Sequence, residues 1–348
     1  MTEFTTLTAK EFSCENSFQP GIFHCQMVNF SGIMAVIFAI LGSFGNAILI
    51  RAIMKTPGLR RHQPTKFIAS LAVSDFLFCA IFLPAFAIRS LNRSILLNQT
   101  FDYYWGYIKY GLLTVSLVHL VVIAINRYIV IFYPSFGENF FTATKIKIMI
   151  LFTWIFGYAV LLQFIQTSKA KYDVMVGIDA PNFMIFEECI IIIICGFCYL
   201  SIYWQTRKLK NSIPKNEGGT SELFTKIQNE TRRMVKETQS QFFKMVSVIF
   251  ICWLLVFTPE MIMEIIDYDY KLYPNWHLVT GLIYWINSLV NPLVYGLMNQ
   301  KYKKAMYKQL PNIFTKRSTL VAGTEMTIQN KFDTNAMQSQ GTVNLQTE

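Results

Sequence analysis

The chain has 348 residues, of which 53% are hydrophobic and only 15% are charged, and its formal net charge is +10. That composition is too apolar for an ordinary soluble protein of this length. The positive charge argues poorly for nucleic-acid binding, because its placement along the chain follows a membrane-topology pattern.

Residues 1–29 are polar and lack a basic start followed by an apolar core, so no cleavable signal peptide is expected there. Cys14 and Cys25 fall in this segment and could close a short loop in an oxidising compartment. Seven long apolar blocks follow, at about 30–54, 66–89, 104–131, 146–166, 183–206, 240–266 and 274–298. A helix needs ~20 mostly apolar residues to cross ~30 Å of hydrocarbon. Seven such blocks in series, separated by polar loops, predict an all-α membrane protein built as a seven-transmembrane helix bundle.

Basic residues cluster in alternate connections. Arg51, Lys55, Arg60, Arg61 and Lys66 follow the first block, Lys145 and Lys147 the third, and Lys301, Lys303, Lys304 and Lys308 the seventh. A further group, including Arg207, Arg232, Arg233 and Lys244, follows the fifth. The positive-inside bias makes these connections cytoplasmic and the amino terminus extracellular, as in a multi-pass plasma-membrane protein. Glycosylation sequons at Asn29, Asn92 and Asn98 fall on the expected outer side. The stretch from about 208 to 236 reads as a polar cytoplasmic loop.

Polar residues inside a bilayer are costly and call for a partner or a task. Asp75 in block two would face Ser116 in block three and Asn287, Ser288 and Asn291 in block seven. Such a ring could hold a small cation, or it could be a hydrogen-bond cluster that ties helices together. Lys109 in block three, Glu187 and Glu188 in block five, and Glu260 and Glu264 in block six charge the outer half. They suggest a ligand pocket in which Lys109 faces carboxylates; internal ion pairing without a ligand is the plainer alternative. Phe250, Trp253 and Phe257 share a helical stripe that ends at Pro259, and Pro292 predicts a second kink in block seven. Block three ends in Asn126, Arg127 and Tyr128.

After block seven, residues 300–310 mix basic and apolar positions and predict an amphipathic helix on the inner leaflet. The expected division is therefore an extracellular amino terminus (1–29), a transmembrane domain (30–299), this surface helix (300–310) and a disordered cytoplasmic tail (311–348).

Asn46, the Leu71-Ala-Val-Ser-Asp75 stretch, the Asn126-Arg127-Tyr128 triplet, Trp154, Tyr199, Phe257 with Pro259, and Asn291, Pro292 and Tyr295 together resemble the rhodopsin-like (class A) G-protein-coupled receptors. The resemblance covers about residues 30–310. Within that family, the surroundings of Asn126 and of Asp75 look like the invertebrate orphan group of receptors called moody and trapped in endoderm. Melatonin receptors are the runner-up, since they share the Asn-Arg-Tyr triplet.

The resemblance implies an extracellular ligand, an outward swing of span six at its inner end, and a heterotrimeric G protein as partner, with arrestin as a second. It implies an inner switch at Asn126, Arg127, Tyr128, Tyr199, Pro259, Pro292 and Tyr295, with Phe257 where the family usually has a tryptophan. Asp75, Ser116, Asn287, Ser288 and Asn291 would form a pocket for Na+ as an allosteric ion; no other cofactor is expected. The ligand pocket would include Lys109, Glu187, Glu260 and Glu264. Lys109 falls where amine receptors carry an aspartate, which speaks against a monoamine.

The departures are specific. The family's acid before the arginine is Asn126, and the span-six position that could lock it looks like Gln239, with Glu237 the nearest acid. Arg127 thus lacks both familiar restraints, which predicts a loosely held inactive state. Asp102 stands at the usual span-three cysteine, and the loop from 167 to 184 has no cysteine either. Ile191 replaces the usual span-five proline. A transporter or channel remains the alternative, but no paired repeat or broken half is evident. An enzyme is not expected, because the four histidines (His24, His62, His119 and His277) are scattered and no metal motif is present.

Overall fold

The computed structural model describes residues 25–92, 99–167, 181–211, 222–267 and 272–310. Among the described residues every regular element is helical. The first span is α1 (Cys25–Lys55), followed by a short α2 (Pro57–Arg61). The second runs from α3 (Gln63–Leu77) through a π-helical turn (Phe78–Phe82) into α4 (Leu83–Leu91). α5 (Gln99–Phe132) is the third, and α6 (Pro134–Phe140) leads through a 75° bend into α7 (Ala143–Thr167). α8 (Pro181–Asn211) and α9 (Glu222–Ile266) follow. The last span is α10 (Pro274–Trp285) plus α11 (Asn287–Met298), and α12 (Gln300–Tyr307) closes the described chain. Among the described residues six helices are long and apolar enough to cross a membrane as they stand, and the α6–α7 pair, taken as one bent span, supplies the seventh.

Prolines decide where the spans depart from regular helix. Pro84 has no N–H for the carbonyl four residues earlier, and the wide π turn just before it relieves the ring's clash with that carbonyl. Pro292 does the same to Ser288, and Asn46 Nδ2 from α1 donates to the freed Ser288 carbonyl at 2.9 Å. The kink expected at Pro292 shows its break a turn or more earlier, at Ile286. There Ile286 N–H bonds Ile283 and Leu289 N–H bonds Ile286, a tightened three-residue spacing.

α5 is the central element and packs against α3, α7, α8 and α9. Small residues let it approach α7 closely. A Cβ on Gly157 would lie 2.7 Å from Val115 Cγ2, and one on Gly111 would run into the Tyr158 ring. Side chains such as Ile40, Phe44, Leu151, Phe152, Ile193, Leu200 and Leu255 point outward and stay exposed. That apolar girdle is the surface lipid would cover. α12 buries Tyr302 and Ala305, exposes Lys301 and Lys304, and is capped by Asn299 Oδ1, which accepts from the Lys301 and Tyr302 backbone.

Two boundaries differ from the sequence reading. Cys25 and Asn29, expected in the polar terminus, lie inside α1, because Val28 continues the buried face of that helix. The loop expected to run to residue 236 is helix from Glu222 onward. Leu223, Ile227, Met234 and Val235 recur at helical spacing among strong helix formers, so the segment extends span six despite its polarity.

Candidate functional site

Three polar sites lie along the bundle, here named by their distance from α12. In the middle, Asp75 on α3 is 1% exposed. Ser116 Oγ on α5 and Ser288 Oγ on α11 donate to its Oδ1 at 2.9 and 3.2 Å, and Asn291 Nδ2 donates to Oδ2 at 2.7 Å. Asn287 is buried one position before Ser288 but makes no hydrogen bond to this carboxylate, so the ring has one member fewer than expected. Asn291 Oδ1 and Asn46 Oδ1 are buried acceptors without a donor. The group thus offers a carboxylate, two hydroxyls and unused amide oxygens, the oxygen chemistry a hard cation requires.

At the α12 end, Asn126 and Arg127 on α5 are both buried. Neither polar atom of Asn126 has a hydrogen-bond partner. The phenols close enough to Arg127 to interact with it electrostatically are those of Tyr302, Tyr199 and Tyr295, drawn from α12, α8 and α11. Tyr295 and Tyr302 stack at 5.4 Å. Tyr302 OH shares a 2.9 Å hydrogen bond with Thr65 Oγ1, which meets His62 Nδ1 at 3.2 Å. Burial, with Arg127 and Lys301 nearby, pushes the His62 imidazole down to about 4, so it is neutral there. Burial likewise pushes the Tyr302 phenol up to about 12. Tyr128 points away and stacks on Phe132 at 4.6 Å.

At the far end, Lys109, Glu187, Glu188, Glu260 and Glu264 do come together. Glu260 and Glu264 both act on Lys109, and Glu187, Glu264 and Glu260 all act on Glu188. Lys109 Nζ also lies 4.5 Å from the Tyr110 ring centroid and 5.7 Å from that of Phe82. Thr114 Oγ1 approaches Glu187 Oε2 at 3.5 Å.

An aromatic column joins the two ends. Tyr284, which the charges of Glu188, Glu187 and Glu260 reach, meets Phe257 edge-on at 5.0 Å. Phe257 stacks on Trp253 at 5.0 Å, Trp253 on Phe250 at 5.8 Å, and Phe250 lies 5.2 Å from Tyr199 beside Arg127. Trp253 is fully buried and its Nε1–H has no acceptor.

The sequence profile of the seven-transmembrane receptors of the rhodopsin family matches residues 45–295, well over half of the chain. The chain belongs to this family. It is therefore a G-protein-coupled receptor rather than an enzyme, and nothing observed favours a transporter or channel. The chain is similar to protein trapped in endoderm-1 of Drosophila melanogaster, 29% identical over 80% of this chain and 76% of that protein. It is also similar to the G-protein coupled receptor moody of the same species, 23% identical over 81% of this chain. Against moody it spans about half the relative's length, 51%. The thyrotropin-releasing hormone receptor of Ovis aries is 24% identical over 79% of the chain and 76% of that protein. The likeness to the moody and trapped-in-endoderm group drawn from the Asn126 and Asp75 motifs is thus borne out.

Other expected residues of this receptor fall as follows. Asn92 is exposed at the end of α4. Asn29 is half-buried in α1, and the hydroxyl of its sequon partner Ser31 is committed to Val28 O at 2.7 Å. Cys14 and Asn98, and the side chains of Cys25, Asp102, Glu237 and Gln239, lie outside the described residues. His119 is a packed polar residue as expected, its ring nitrogens reaching Val115 O at 2.7 Å and Thr153 Oγ1 at 3.4 Å. Two groups escaped sequence reasoning. One is Thr65 with Tyr302. The other is Asp267, whose carboxylate accepts from Leu272 and Tyr273 N–H and lies 3.5 Å from His277 Nε2. An aspartate at a helix end before a short loop is the signal that could have found the second.

Proposed function

We propose that this receptor sits in the plasma membrane with its amino terminus outside and takes an extracellular ligand among the far-end carboxylates. Ligand binding activates a heterotrimeric G protein that docks at the α12 end, where arrestin is a second partner. What supports this reading is the aromatic column. It begins at Tyr284 beside the carboxylates and ends at Tyr199 beside Arg127. Most of it rides on α9, the helix that carries Pro259. A buried indole N–H without an acceptor costs about 1–3 kcal/mol, the kind of group expected on an element with a second arrangement. A ligand that shifts Phe257 is thereby transmitted to Arg127 as movement of α9.

The Asp75 cluster is the element the helices must break or keep as they move. Asp75, Ser116, Ser288 and Asn291 would hold Na+, whose charge would substitute for the donors now on the carboxylate. The cation thus favours whichever state opens those hydrogen bonds. Arg127 carries the docking role. Nucleotide exchange on purified G proteins with reconstituted receptor checks it: Arg127→Ala is expected to abolish exchange while surface expression persists. Normal exchange from that variant would remove Arg127 from the switch. Lys109→Ala is expected to change agonist potency, and unchanged potency would move the ligand away from the far-end cluster.

A further inference from the structure

For Arg127 to meet a docking protein it must leave its burial, and the side chain of Tyr302 on α12 is placed to govern that step. Arg127 lies within electrostatic reach of the Tyr302, Tyr199 and Tyr295 phenols, and its interaction with Tyr302 is the largest of the three. Tyr302 is fixed by three other elements of structure. Its backbone N–H donates to the Asn299 Oδ1 cap at 3.4 Å. Its ring stacks on that of Tyr295 from α11, with centroids 5.4 Å apart. Its hydroxyl shares a 2.9 Å hydrogen bond with Thr65 Oγ1 in the first turn of α3, and Thr65 Oγ1 also meets His62 Nδ1 at 3.2 Å. Tyr302 and Thr65 are both buried.

The hydroxyl is the part that calls for a reason. A phenylalanine ring would fill the same space and stack on Tyr295 without a buried polar atom to satisfy. A tyrosine there needs a partner, and Thr65 supplies it from a different helix. α12 packs mainly on α1 and α11, so the Tyr302–Thr65 bond adds a tie to α3. The sequence predicts a loosely held Arg127, because Asn126 and Gln239 are neutral. A phenol fixed beside the guanidinium is a restraint of another kind: it supplies a dipole and a packed neighbour rather than a counter-charge.

We propose that Tyr302 is a positioning residue for Arg127: its hydrogen bond to Thr65 latches α12 beside the switch, and docking of a G protein requires that bond to break. This rests on the reading that a G protein docks at the α12 end through Arg127. The latch belongs to the chain itself and is independent of what binds at the far end. One neutral hydrogen bond shifts such an equilibrium by about two- to tenfold, so the latch quiets the ligand-free receptor without silencing it.

The test uses the full chain in lipid nanodiscs with purified G proteins and no ligand. Nucleotide exchange is read beside thermal stability and the hydrogen exchange of α12 amides. Tyr302→Phe keeps the ring and removes only the hydroxyl, and Thr65→Val removes the other partner. Each is expected to raise ligand-independent nucleotide exchange about two- to tenfold and to speed hydrogen exchange in α12. The double variant should rise no further than either single one, because both remove the same bond. Adding Arg127→Ala should cancel the rise. Unchanged or lowered nucleotide exchange in both single variants overturns the proposal, and so does a double variant whose effects multiply. A purely structural role for the bond would lower thermal stability and nucleotide exchange together, which also counts against the latch. Nucleotide exchange that Arg127→Ala abolishes but Tyr302→Phe and Thr65→Val leave unaltered removes the latch and keeps the docking reading. Nucleotide exchange that persists in Arg127→Ala removes the docking reading, and the latch with it.

Discussion

At mid-bundle, Asp75 receives hydrogen bonds from Ser116, Ser288 and Asn291, whereas at the far end Glu188 and Glu260 each keep a buried oxygen that accepts none. Both are carboxylates among apolar helices, and the cost of burying them is of the same kind. The protein meets that cost at Asp75 with its own donors, drawn from α5 and α11, so the group works as a tie between helices. At Glu188 it leaves the cost standing, while Glu260 is met in part by the Thr280 hydroxyl and by Lys109. A carboxylate satisfied from within reports on how the bundle is assembled; one left unsatisfied reports on what the bundle is built to receive.

This contrast makes unequal predictions for similar substitutions. The largest effect is expected at mid-bundle. Asp75→Ala strands three buried donors and should lower thermal stability by about 3 kcal/mol, read by unfolding in detergent. Little change there would mean that the cluster is not a tie. Glu188→Gln should instead change the stability of the ligand-free receptor by less than about 1 kcal/mol, because Glu188 Oε2 accepts no hydrogen bond that the substitution could break. A larger loss of stability would show that Glu188 already has an internal counterion and would erase the contrast.

A smaller effect is expected at the α12 end, where Asn126 is another unsatisfied buried group. Asn126→Asp places a carboxylate beside Arg127 and should lower ligand-independent nucleotide exchange a few-fold. Unchanged basal exchange would mean that the tyrosines around Arg127 hold it by themselves. The smallest effect concerns His62. Its value is lowered from 6.5 to about 4, so the neutral ring supports the fold fully above about pH 6.5, and that support is lost as pH falls toward 4. Thermal stability should therefore decline modestly on acidification, and His62→Gln should flatten the decline.

How much of this was legible depended on whether a residue's task is local. The spans, the amphipathic helix after span seven, and the place of Pro259 and Pro292 inside spans six and seven could be read directly, because hydropathy and a missing N–H act within one helix. The contacts of Asp75 with Ser116, Ser288 and Asn291 were legible because a charge in a bilayer must turn inward, and few polar groups were there to meet it. Asn287 makes no hydrogen bond to Asp75, because neighbouring positions on a helix point about 100° apart. The helical start of α9 was missed because its polar surface outweighed the spacing of Leu223, Ile227, Met234 and Val235. The Thr65–Tyr302 contact could not have been read at all, since the partners lie 237 positions apart and each looks ordinary alone.

The sequence by itself determined that this is a seven-span receptor, which loops are basic, and which few polar residues lie within the spans. Those properties follow from transfer energies and backbone hydrogen bonding, which each segment settles by itself. Only the tertiary structure decided who meets whom. It set the donors of Asp75 from positions 41 and 216 residues away, the tyrosines around Arg127, and the α9 carboxylates between Lys109 and Glu188. The rotation of each helix about its axis is fixed by packing against its neighbours, and no single helix carries that information.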